Sequence, residues 1–317
     1  MRSLDEEGAR GTESVHDRLD GERVRTLDLS GIRTRVYEAG VGPPLLLIHG
    51  GQFGSLYSLD CWSLVLGPLA QHFRVIAFDK LGQGHTDPPR RSEDYVVEAV
   101  QAHIDALIDT LELDDLHVLG HSRGGVPALR LAVEQHQRVR SLVLADSGSA
   151  APFDPAIPVG AFYANLEPVD GDRAPSRRDV TREPLAQAID PRWITDDFVE
   201  RMLAIASLPA QQATRAVLRA VEDAVWRPSL AASRAWGLGA IDAGRLDIPT
   251  LVLWGYEDRS APRHQGLRLY ERIAATTRDA EFVMLNRAGH YVFRDRPAAF
   301  VDVVSRFCLR YGPDSQS

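Results

Sequence analysis

At 317 residues, 44% of them hydrophobic, the chain is long enough for one large α/β domain or a domain carrying an insertion. A formal charge of −8 with no basic cluster excludes nucleic acid and anionic membrane as expected partners. No apolar run reaches the length of a membrane span, and the charged start at residues 1–7 lacks the apolar core of a secretory signal, so a cytoplasmic location is expected.

Residues 1–21 are polar and Gly-rich without a hydrophobic period, which predicts a disordered tail. Residues 24–29 and 32–37 alternate across Ser30-Gly31 and predict an edge hairpin. Residues 45–48 are continuously apolar, as in a strand buried on both faces, and open into His49-Gly50-Gly51-Gln52-Phe53-Gly54. A helix is predicted over 62–70, a buried strand over 73–78, a long polar turn over 79–88 and a helix over 95–111. Strand 116–119 then runs into Gly120-His121-Ser122-Arg123-Gly124-Gly125, and 126–133 leaves it with helical spacing. Residues 140–145 form the next strand. This alternation predicts a parallel sheet covered on both faces.

From about 150 to 240 the strand signal disappears, and helices over 194–207 and 211–226 stand out. A helical block between two strands of such a sheet predicts a lid over the active face. The sheet resumes with strands over 248–255 and 280–285, and a final helix is predicted over 298–310. The expected division is a tail over 1–21, a core over 22–149 and 241–317, and a helical lid over 150–240. Cys61 and Cys308 fit no metal or redox spacing and read as buried thiols of a reducing compartment. No metal or other cofactor is expected. The expected partner is a small-molecule substrate, with homo-oligomerisation left open.

A serine between two glycines at a strand-to-helix junction is the G-x-S-x-G elbow, a tight turn that lifts Ser122 Oγ out of the backbone. A serine hydroxyl is nearly inert at neutral pH and needs a base within hydrogen-bond reach and a carboxylate to orient that base. His290 follows the last strand in Asn286-Arg287-Ala288-Gly289-His290-Tyr291. Trp254-Gly255-Tyr256-Glu257-Asp258-Arg259 supplies the carboxylate after the preceding strand, Asp258 being better placed than its neighbour Glu257.

These motifs, with His49-Gly50-Gly51, resemble those of the α/β-hydrolase fold in the same order, over about residues 27–311. The resemblance implies a mostly parallel sheet flanked by helices, with the helical lid inserted after the sixth strand. It implies Ser122 as nucleophile, His290 as base and Asp258 as orienting acid. Asp146 occupies a place where some members keep that acid. Oxyanion donors would be the backbone N–H groups of Gly51 and Arg123, with Gln52 as a substitute. Gln52, His121, Tyr291 and Arg201 are the candidate substrate contacts.

Asp258-Arg259-Ser260-Ala261-Pro262 and residues 194–200 further resemble hydrolases that split a carbon–carbon bond in aromatic ring-cleavage products. Three positions depart from that pattern. His121 stands for an asparagine, Tyr291 for a tryptophan, and Met202 for the lid arginine that binds a substrate carboxylate. The nearest basic residue, Arg201, is offset by about 100° on a helix. These departures favour a serine hydrolase of a small ester or lactone, a carboxylesterase working through an acyl-enzyme. Carbon–carbon bond hydrolysis is the alternative, and a hydrolase-like ligand-binding protein the third reading.

Overall fold

The apolar runs of the sequence pair into one eight-stranded sheet in the computed structural model, which describes residues 19–153, 161–166 and 174–312. Its strands are β1 (Val24–Leu29), β2 (Ile32–Ala39), β3 (Pro44–Ile48), β4 (Arg74–Phe78), β5 (Leu116–His121), β6 (Val139–Ala145), β7 (Thr250–Gly255) and β8 (Ala280–Leu285). Their order across the sheet is β1-β2-β4-β3-β5-β6-β7-β8. The β1–β2 and β2–β4 pairs are antiparallel, and every other pair is parallel.

The described helices are α1 (Ser63–Leu69), α2 (Val97–Thr110), α3 (Gly125–Glu134), α4 (Ala161–Ala164), α5 (Arg177–Gln187), α6 (Asp196–Ser207), α7 (Pro209–Val221), α8 (Arg227–Asp242), α9 (Arg263–Ala274), α10 (Val292–Asp295) and α11 (Pro297–Arg310). Alternate residues of the central strands feed two cores. Leu46, Ile48, Val118 and Val252 pack with Ile104, Leu131, Ile241 and Leu269 of α2, α3, α8 and α9. Leu45, Leu47, Leu119 and Leu253 pack with Val65, Phe300 and Val304 of α1 and α11. A strand buried on both faces is mostly apolar, and its polar side chains need partners. β3 is apolar throughout, β7 over 251–254, and the two histidines of β5 have partners, His117 in Ser141 and His121 in the His290 carbonyl. The chain is therefore an α/β-hydrolase fold, with a mostly parallel sheet flanked by helices.

β4 and β5 lie on opposite sides of β3, so the direction of sheet growth reverses there. Such a reversal opens a crevice at the carboxyl ends of the strands. The Gly50-Gly51 loop after β3 and Ser122 after β5 sit at that crevice.

Several boundaries differ from the sequence reading. Residues 1–18 of the expected tail, and 154–160 and 167–173 of the expected helical block, lie outside the described residues. Gly21–Arg23 is a 3-10 turn capped by Asp20, not tail. Between β6 and β7 the periodicity missed α5 and α8. α5 buries only Asp179, Val180, Pro184 and Gln187, too few apolar positions to mark a period. The helix expected over 211–226 is α7 followed by a single π turn, Glu222–Trp226. The expected boundary at 240 falls inside α8, whose Leu238, Ala240 and Ile241 belong to the core beneath α2 and α3. Gly237 and Gly239 stand just before that point, but the helix runs through both to Asp242. Cys61 and Cys308 are buried and unbridged. No helix among the described residues is long and apolar enough to cross a membrane.

Candidate active site

β5 ends at His121, and Ser122 turns the chain with φ +52°, a left-handed conformation that a non-glycine residue adopts only under constraint. Packing supplies the constraint. A Cβ on Gly124 would come within 2.2 Å of Ile48 O, so only glycine lets the turn close against β3. The Ser122 carbonyl accepts hydrogen bonds from the hydroxyls of Ser147 (2.6 Å) and Ser149 (2.9 Å), two residues that sequence reasoning passed over.

The Ser122 hydroxyl lies 3.0 Å from His290 Nε2, and His290 Nδ1 donates to Asp258 Oδ2 at 2.7 Å. The Asp258 side chain has no exposure, and that of His290 has 3%. The other Asp258 oxygen accepts from Ser260 N and Ala261 N, each at 2.8 Å, and from Ser260 Oγ at 3.1 Å. The carboxylate is thus fixed at both oxygens and presents one edge to the imidazole. Glu257 turns away and accepts from Ala288 N. Asp146 does not reach His290. Its Oδ1 accepts from Gly255 N at 2.7 Å, and burial, then the neighbouring Asp258 charge, pushes its carboxyl well above the usual carboxylate range.

The loop after β3 stands against Ser122: a Cβ on Gly50 would lie 2.9 Å from Ser122 Cβ. His49 Nδ1 donates to Gly50 O at 2.9 Å, while its Nε2 accepts from Lys80 N at 3.1 Å. Gln83 Nε2 also reaches Gly50 O, and Lys80 Nζ donates to Gly51 O at 3.1 Å. In a trans peptide the N–H points opposite to the C=O, so a pinned Gly50 carbonyl fixes the direction of the Gly51 N–H. Arg123, second residue of its 3-10 turn, has no intrahelical acceptor for its own N–H. Burial, and Arg123 after it, pulls the Lys80 ammonium down to about 7.

The four candidate substrate contacts separate. Gln52 Oε1 accepts from Trp226 Nε1 at 2.9 Å and ties the loop to the π turn. His121 is fully buried, and its Nε2 donates to the His290 carbonyl at 2.8 Å, which holds the backbone of His290 and removes His121 from substrate reach. Burial and the facing His290 hold its imidazole well below the usual histidine range. The Tyr291 hydroxyl donates to Tyr57 at 2.6 Å, and Tyr57 donates to Glu183 of α5 at 2.7 Å. Tyr57, Glu183, Phe198, Met202 and Tyr291 line a cavity of about 20 Å³. Arg201 points elsewhere: its Nε lies 3.3 Å from Asp60, which also binds Arg35. A helix position one residue off the expected one has rotated it onto a buried acid.

Asp295 completes the surroundings of His290. Its Oδ2 accepts from Gly289 N at 2.8 Å, and its Oδ1 from Ile189 N, Asp190 N and Trp193 Nε1. No sequence signal singled it out, since its partners lie about a hundred residues away in the chain. A cleft of about 880 Å³, lined by Asp190, Arg192, Arg287 and Arg296 among others, contains none of Ser122, His290 or Asp258.

This fold and this arrangement define a hydrolase of the α/β class. A family model described as alpha/beta hydrolase fold matches residues 43–297, and the chain belongs to that family. It is 31% identical over 283 residues to a 2-hydroxymuconate semialdehyde hydrolase of a Pseudomonas species, covering 89% of this chain and 93% of that protein. It is 29% identical over 294 residues to a 2-hydroxy-6-oxo-2,4-heptadienoate hydrolase of Pseudomonas putida, covering 91% and 97%. A solved 2-hydroxy-6-oxo-6-phenylhexa-2,4-dienoate hydrolase from a Rhodococcus species superposes with a TM-score of 0.69 at 25% identity, covering 90% of this chain and 99% of that one.

These relatives correct the expectation of an ester or lactone substrate and of a carboxylesterase. Several relatives are named as hydrolases of 2-hydroxy-6-oxo-dienoates or of 2-hydroxymuconate semialdehyde, not of esters or lactones. The sequence reading gave too much weight to three departures from that pattern, at His121, Tyr291 and Met202.

Proposed function

We propose that the chain hydrolyses the carbon–carbon bond beside the ketone of a 2-hydroxy-6-oxo-dienoate, with Ser122, His290 and Asp258 as its triad. The observation that carries this reading is the continuous hydrogen-bonded line from Ser122 Oγ through His290 to Asp258, in a chain whose relatives act on that substrate class. Ser122 Oγ attacks the ketone carbon as its proton passes to His290 Nε2, and Asp258 stabilises the resulting imidazolium at Nδ1. The ketone oxygen becomes an oxyanion, received by the N–H groups of Gly51 and Arg123. Collapse breaks the carbon–carbon bond, and its electron pair leaves on the dienoate carbon, delocalised when the 2-hydroxy group is in its keto form. The imidazolium proton neutralises that carbon. His290 then deprotonates a water that attacks the acyl–Ser122 ester and releases a carboxylic acid.

The helices between β6 and β7 serve as a lid in this reading. Trp226 on Gln52 and Glu183 on Tyr57 join that segment to the loop carrying Gly51. A closed lid excludes the water that would otherwise protonate intermediates out of turn.

The test is turnover of 2-hydroxy-6-oxo-2,4-heptadienoate, followed by its absorbance and by the acid released. Ser122→Ala should lower kcat by roughly 10⁴-fold or more and abolish labelling by a fluorophosphonate. Turnover of simple esters with no cleavage of the dienoate would reject the reading.

A further inference from the structure

Charge on one side of Ser122 is unbalanced. Arg123, half-buried and next in sequence to the nucleophile, makes no ion pair or side-chain hydrogen bond among the described residues. Arg234, half-buried on α8, donates from Nε to Ser149 O at 2.8 Å, and among the described residues no carboxylate pairs with it. Ser149 in turn donates to Ser122 O, so two hydrogen bonds separate Arg234 from the nucleophile's backbone. Burial, and then the Arg123 charge, lowers Arg234 from its ordinary range.

The acids nearby are committed elsewhere. Asp258 serves His290, Ser260 and Ala261, Glu183 accepts from Tyr57, and Asp146 is held on Gly255 N. Two like charges at a half-desolvated site cost stability unless an anion bridges them. That such a pair persists beside a nucleophile, on a chain of net charge −8, marks a place built for a ligand anion.

We propose that Arg123 and Arg234 together bind the carboxylate of the substrate, placing it towards α3 and α8 while the ketone lies over Ser122. The inference rests on the function proposed above and assigns its anion site. Guanidinium forks match a carboxylate in plane and with two donors each, which a lysine pair would not do. α6, where a cation was sought, presents Met202 to the Tyr57–Tyr291 cavity and commits Arg201 to Asp60.

The experiment compares 2-hydroxy-6-oxo-2,4-heptadienoate with its methyl ester in wild type, Arg123→Gln, Arg234→Gln and the double variant. The ratio of kcat/KM for acid over ester should fall about ten- to hundredfold in each single variant, the range of a lost charge-assisted hydrogen bond. A misfolded fraction lowers both rates and leaves the ratio alone, so the ratio reports the site itself. An unchanged ratio in all three variants would overturn the proposal. If wild type cleaves neither compound, the proposed reaction fails, and the anion site is decided separately by fluorophosphonate labelling of Ser122. Benzoate should then slow labelling of wild type more than benzyl alcohol does, and lose that advantage in the double variant. Equal protection by both additives in wild type would reject the site.

Discussion

Asp258→Asn tests the site most sharply, because the surroundings dictate how the amide must sit. One Asp258 oxygen accepts from Ser260 N and Ala261 N at 2.8 Å. An amide NH2 placed there would face two donors, so the Asn oxygen must take that position. The NH2 is then left towards His290 Nδ1, which must lose its proton to accept. Nε2 becomes the protonated nitrogen and can no longer take the Ser122 proton across the 3.0 Å contact. A wrong tautomer in a Ser-His-Asp site costs about 10⁴ in kcat, or about 5 kcal/mol of transition-state stabilisation. Asp146→Asn is the control. Burial and the Asp258 charge push the Asp146 carboxyl well above the usual range, its Oδ1 accepts from Gly255 N, and an amide oxygen reproduces that acceptor. Its kcat should stay within about tenfold of wild type. The assay is steady-state cleavage of the dienoate, with thermal melts showing both variants folded. Asp258→Asn within tenfold of wild type, or Asp146→Asn the more damaged of the two, would refute the reasoning.

Ser147→Ala with Ser149→Ala removes both hydroxyls from the strained Ser122 carbonyl and should cost about 2 kcal/mol in urea unfolding, at about 1 kcal/mol per hydrogen bond; a loss under about 0.5 kcal/mol would show the turn holds without them. Lys80 titrates near 7 when folded and near 10.4 when unfolded, so between these values the unfolded chain binds more protons and this residue makes stability rise with pH. Lys80→Met should therefore flatten the wild-type slope of unfolding free energy between pH 7 and 9, by on the order of 1 kcal/mol per pH unit; parallel slopes in the two proteins would disprove the linkage. Arg201→Ala should weaken the Asp60 cluster and lower the melting temperature while leaving the acid-over-ester ratio within about twofold, as its commitment to Asp60 requires; a selective loss on the acid would place the anion site on α6 instead.

Much of the fold was legible because the central strands are buried on both faces and are mostly apolar. Leu45 to Ile48 and Leu251 to Trp254 leave no other reading. Ser122, Asp258 and His290 were also legible as candidates, since each follows a strand and a serine nucleophile demands a base and an acid. What escaped depends on contacts between distant segments. His121 looks like a substrate contact until its ring is found on the carbonyl of His290. Arg201 looks like an anion binder until Asp60 is found in its path. α5 is mostly polar and shows no period; its start is fixed by the Ser176–Asp179 capping box, a local signal. Substrate class escaped for a related reason: departures at His121, Tyr291 and Met202 were allowed to outweigh the matching stretches, while the Arg123 side chain lay unweighed beside Ser122.

Asp295 has a consequence for anyone who would exchange parts of this enzyme. One oxygen holds Gly289, beside His290, and the other holds Ile189, Asp190 and Trp193 of the segment between β6 and β7. Swapping that whole segment for another, to graft a new specificity, would strip three donors from a mostly buried carboxylate and loosen the backbone that presents His290. A transplant that retains residues 189–193 and replaces only what surrounds them keeps the base in register. The region that varies most freely in design is thus divided by a single side chain into a portion that can be traded and a portion that travels with the chemistry.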